Sequence, residues 1–103
     1  MIHAIHHIGI AVHDLEAAKR FWGGALGLEE VKRPKAIEKY TSAWYQVGGA
    51  QLHVIENKDF VPPKGELIPH VAVAVKREEF DAVVERVRRA GFDFGQFRVG
   101  QAA

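Results

Sequence analysis

The 103-residue sequence has no cysteine, one methionine and four prolines, and its fourteen Lys and Arg side chains are nearly balanced by thirteen Asp and Glu. Without cysteine there is no disulfide framework and no thiolate nucleophile, and any metal must be held by nitrogen and oxygen. A net charge of +1 gives no electrostatic reason to expect nucleic acid or an anionic membrane as a partner. No apolar run approaches the length of a membrane span, and the start of the chain lacks the basic-then-apolar plan of a signal peptide. On these grounds the sequence reads as cytoplasmic. The hydrophobic fraction of 48% and charged fraction of 26% are ordinary for a globular domain, and the length suits a single domain with a small core.

Against these scarcities stand six histidines and an internal echo. The stretch His7-Ile8-Gly9-Ile10-Ala11-Val12 recurs in pattern as His70-Val71-Ala72-Val73-Ala74-Val75. In a strand, alternate side chains point to opposite faces. Each stretch therefore offers one branched aliphatic face and one face carrying a single imidazole beside very small residues. Each is also followed by a helical pattern with a terminal glycine. The first, over 15–26, has Asp14 as N-cap, an apolar stripe of Leu15, Ala18, Phe21, Trp22 and Ala25, and Gly27 as the stop. The second, over 77–90, carries Phe80, Val83, Val84, Val87 and Ala90 and stops at Gly91. Strand, helix and stop recur in register, the signature of a repeat.

Between the copies, 28–33 reads as a strand stopped by Pro34 and 35–42 as a charged, mobile loop. Two strands over 43–47 and 50–56 flank Gly48-Gly49, a two-residue hairpin signal that calls for positive φ. In the second arm Gln51, His53 and Ile55 share a face, opposite Leu52, Val54 and Glu56. The segment 58–69, with Pro62-Pro63 and Gly65, is a surface connection between module one (1–57) and a partial module two (70–103). His3, His6 and His13 have plain structural readings, His6 as the neighbour of His7 on the opposite face.

His7-Ile8-Gly9-Ile10-Ala11-Val12-His13-Asp14-Leu15, then Phe21-Trp22 and Leu26-Gly27-Leu28, resembles the opening of the vicinal oxygen chelate superfamily of glyoxalases, bleomycin and fosfomycin resistance proteins and extradiol dioxygenases. Trp44 to Gly48, Gln51 to Glu56 and Pro69 to Val73 continue it. The resemblance implies an α+β fold of paired β-α-β-β-β modules whose mixed sheet forms a cup around a divalent metal. His7, His53 and His70 match the ligand positions. The metal could be zinc, nickel, cobalt, manganese or iron, since imidazole suits several first-row ions.

Members of the family go on to a last hairpin that carries a glutamate ligand. The sequence ends at Ala103 in the approach to it, so the second module reads as incomplete and the carboxylate base of glyoxalase-type chemistry is missing. Glu56 should point away from His53 and cannot replace it. A sheet edge left bare favours a homodimer. The leading expectation is a metal-binding small-molecule protein similar to glyoxalase-type lyases or isomerases. The alternatives are a metal-free sequestering module, with Trp44, Tyr45 and Tyr40 stacking on a planar ligand, and an inactive shortened homologue.

Overall fold

In the computed structural model, which describes residues 1–61, 64 and 70–95, the first module is built as one sheet covered on one side by a helix. The strands are β1 (His7–Val12), β2 (Glu29–Val31), β3 (Ser42–Val47) and β4 (Ala50–Glu56), in spatial order β1-β4-β3-β2. β1 runs parallel to β4, while β4 with β3 and β3 with β2 are antiparallel. Gly48-Gly49 joins β3 to β4 with Val47 facing Ala50. Only Gly48 of this pair has positive φ, +58°, as a turn of the II′ kind requires.

Register sorts the side chains cleanly. Gly9 stands opposite His53, and Trp44 opposite His53 on the other flank. His7, Gly9, Ala11, Gln51, His53, Ile55, Trp44 and Gln46 therefore share one face. The other face carries Ile10, Val12, Ala43, Tyr45, Leu52 and Val54, and here the core forms. Leu15, Ala18 and Trp22 from the covering helix close over it.

That helix begins as expected. Asp14 Oδ1 accepts from Ala17 N–H at 3.2 Å, and α1 spans Leu15–Lys19. A second cap comes from far along the chain: Leu15 N–H donates to Glu56 Oε2 at 2.9 Å. Beyond Lys19 the helix widens into a π-helical segment, Arg20–Ala25, rather than continuing as an α-helix to residue 26. Leu26 N–H reaches back to the Phe21 carbonyl, and Leu28 N–H to that of Trp22. The Gly23-Gly24 pair, weak in helix propensity, accounts for the slackened ladder. Gly27 ends the segment at φ +69°.

The charged loop is more ordered than its composition suggests. It holds a 3-10 turn, Lys35–Ile37, and the Arg33 guanidinium donates to Ile37 O, Tyr40 O and Ser42 Oγ, the last at 2.7 Å. A single side chain thus ties both ends of the loop.

The second module departs from expectation. Residues 70–75 form no strand, although their alternation matches β1. Val71 packs against the core, but Val73 and Val75 are exposed. The helix does form, as a 3-10 turn Arg77–Glu79 leading into α2 (Phe80–Arg89). It ends as a Schellman motif, with Gly91 at φ +87°, Gly91 N–H bonded to Arg88 O and Phe92 N–H to Val87 O. Phe92 meets Phe21 edge-on at 5.1 Å and so fastens the end of α2 to the π-helical segment. No helix among the described residues is long and apolar enough to cross a membrane.

Candidate functional site

The sheet face turned away from the helix carries a column of rings. Trp44 and His53, directly opposite in register, stack with centroids 3.6 Å apart and planes 2° from parallel. On the other side of His53 lies His7, 4.3 Å away and 14° from parallel. Parallel pairing of β1 with β4 is what sets these two imidazoles side by side. Next to them Gly9 and Ala11 leave the floor of this face low.

His6 joins the column from its end. Its ring meets that of His7 edge-on at 5.2 Å, with the two Nδ1 atoms 2.9 Å apart, so one Nδ1 is protonated and donates to the other. The pleat was expected to send His6 to the opposite face. It precedes the first paired residue of β1, where alternation is not enforced.

His53 is the buried member, 8% exposed, and its Nε2 lies 2.9 Å from Gln51 Oε1. With the amide oxygen facing the ring, Nε2 carries the proton. Burial holds the His53 pKa below the ordinary histidine value, and charge on His7 and His6 would lower it further. The ring is therefore neutral near pH 7, as ligation or stacking requires. Gln51 was not among the expected site residues, yet its place two residues before His53 on the same strand face was the signal that could have found it.

The other candidates scatter. Tyr45, next to Trp44, points to the opposite face, where it is 1% exposed in the core, so it cannot share a ligand with Trp44. Strict alternation along β3 is the reason. Its hydroxyl is buried without a hydrogen-bond partner among the described residues. Tyr40 is exposed in the loop tied by Arg33, with Lys39 Nζ 5.3 Å from its ring centre. His70 is exposed, and among the described residues no three His, Cys, Asp or Glu side chains are grouped so as to hold a metal. Glu56 caps α1 on the far side of the sheet and is not available to the histidines.

Two imidazoles and an amide oxygen make a donor set that suits first-row divalent ions. Their present geometry is that of a stack, because lone pairs lying in two parallel ring planes run side by side and do not converge. Ligation of one ion by both rings requires at least one of them to turn.

The sequence profile of the glyoxalase/bleomycin resistance protein/dioxygenase superfamily matches residues 6–103. The chain belongs to this superfamily. Among curated members it is similar to the glutathione transferase FosA of Serratia marcescens, at 30% identity over 93 residues; the match takes in 88% of this chain and 62% of that protein's length. Solved members share the fold. A glyoxalase/dioxygenase from Nostoc punctiforme superimposes with a TM-score of 0.79 at 22% identity, over 95% of this chain and 77% of the other. The fosfomycin resistance protein FosX of Listeria monocytogenes, in a complex with Mn(II) and 1S,2S-dihydroxypropylphosphonic acid, gives a TM-score of 0.73 at 22% identity, over 97% and 79% of the two chains.

Proposed function

We propose that this chain binds a divalent metal and a small molecule on the histidine face of its sheet, in the manner of the glyoxalase-type and fosfomycin resistance proteins of its superfamily. The observation that carries the reading is the pairing of His7 and His53, neighbours at 4.3 Å on adjacent strands of one face. His7 and His53 would supply two ligands and His70 a third, with the Gln51 oxygen beside His53. A bound ion would act as a Lewis acid toward an oxygen of the substrate. The chain's own residues hold His53 neutral by burial, flank it with Trp44 and keep the floor low at Gly9 and Ala11. A homodimer built on β1, whose outer edge has no partner strand among the described residues, and a cytoplasmic location complete the proposal.

Elemental analysis of the purified protein tests it. The expected result is close to one divalent ion per chain, lost in the His7→Ala, His70→Ala double variant; absence of metal before and after titration with zinc, manganese, nickel and cobalt overturns it.

A second reading rests on the stacking itself. Three stacked, near-parallel rings, Trp44, His53 and His7, form a ready platform for a planar ligand without metal. Quenching of tryptophan fluorescence by a planar aromatic compound in the presence of chelator, abolished by Trp44→Ala, would favour it over the first.

A further inference from the structure

On the side of the molecule away from the histidines, the π-helical segment and the C-terminal part of α2 border an open cleft of about 380 Å³. It is lined by Arg20, Arg86 and Arg89, with Gly24, Ala25 and Ala90 as its small residues. Basic residues at the end of a helix complement its dipole, and that accounts for part of the charge on α2. It does not account for the arrangement. Arg88, on the same turn, goes elsewhere and lies over the Phe94 ring at 5.6 Å. Arg86 and Arg89, three residues apart on one helix face, turn to the cleft, where Arg20 joins them from a different element.

Three guanidinium groups around one cleft repel each other unless anions answer them. Among the described residues a single carboxylate is paired with them: Glu85 meets Arg89 at 3.0 Å, an exposed and therefore weak bridge. Arg86 is anchored by a bond from Nη2 to the Gly24 carbonyl at 3.2 Å, which fixes its fork at the cleft. Gly24 lines the same cleft. A Cβ at that position would meet nothing within 4 Å, so packing within the protein does not demand the glycine.

We infer that this cleft binds a small oxyanion of the phosphate monoester class, at a site separate from the histidine face. Guanidinium forks match tetrahedral oxyanions through paired N–H donors, and three of them offer more donors than a single carboxylate can accept. The volume lies at the small end of the range for ligand pockets, which suits one phosphate group with a short organic substituent rather than a polymer.

The test is a titration of the whole, isotopically labelled chain at constant ionic strength with inorganic phosphate and methyl phosphate, followed by amide NMR shifts and calorimetry. Acetate and a short single-stranded oligonucleotide serve as comparison ligands. Saturable shifts at Gly24, Ala25 and Ala90 are expected with both phosphates, and weaker binding with acetate. The Arg20→Gln, Arg89→Gln double variant should bind at least about tenfold more weakly, the loss of one charge-assisted hydrogen bond or more. Gly24→Leu should occlude the cleft and abolish binding with its thermal midpoint no lower than the parent's, because leucine is the better helix former. His7→Ala should leave phosphate affinity unchanged. Lack of saturation, wild-type affinity in the arginine variant, loss of binding in His7→Ala, or binding of the oligonucleotide in place of phosphate would each overturn the assignment.

Discussion

The stretches that begin at His7 and at His70 are written in the same alternating pattern, yet the first is a strand and the second is not. The difference lies in what surrounds them. β1 has β4 alongside, donating and accepting along its whole length, and the helix α1 covers its aliphatic face. The segment 70–75 has no partner strand among the described residues, and only Val71 of its aliphatic side reaches the core. Helix α2 forms regardless, since a helix closes its own hydrogen bonds while a strand depends on a neighbour. Alternation therefore states a preference for strand, and pairing decides whether it is realised.

The comparison can be broken by mutation, and the largest effect is expected in the core beneath β1. Leu52→Ala should cost about 3 kcal/mol in urea unfolding, as for other buried leucines, whereas Val73→Ala should change stability by less than about 0.5 kcal/mol. Similar costs at the two sites would mean that the second stretch is packed as firmly as the first.

A smaller effect separates the two helices. α1 owes its first turn to Asp14 and to the distant Glu56, while α2 has no side-chain cap at its start. Glu56→Gln should lower stability by about 1 kcal/mol, because a charge-assisted bond to Leu15 N–H becomes a neutral one. The same exchange at Glu79, measured by thermal melting, should be nearly silent.

The last expected change is a gain of similar size. Tyr45→Phe removes a buried hydroxyl that has no partner among the described residues and should stabilise the first module by about 1 kcal/mol. Burial, and secondarily the charges of Glu30 and Glu16, raise the Tyr45 pKa above its ordinary value. An unfolded tyrosine ionises first, so this residue's contribution to stability is intact below about pH 10 and falls as pH rises beyond it. Over that window the melting temperature of Tyr45→Phe should decline less steeply than that of the parent.

Much of the first module was legible in the chain. Alternation placed His7 with Gly9 and Ala11 and placed His53 with Gln51, and Asp14, Gly27, Gly48 and Gly91 punctuated the elements where expected. Alternation also carried a warning about Trp44 and Tyr45, since two successive strand residues cannot face one ligand. The cap from Glu56 and the clamp by Arg33 were not legible, because both join residues whose proximity arises only from the fold. The same holds for the ring column, with His53 between Trp44 and His7 and His6 edge-on to His7: periodicity assigns a face, but ring contacts follow from register between strands.

The parallel pairing of β1 with β4 also has a consequence in time. β3 and β4 meet across a two-residue turn, so their half of the ring column, Trp44 on His53, is a local contact that costs little chain entropy to form. His7 can arrive only after everything between β1 and β4 has been gathered in, which makes its docking the contact of highest sequence separation in the sheet. The imidazole pair is thus assembled from the earliest-made and the latest-made parts of the module, and it exists only in chains that have finished folding it.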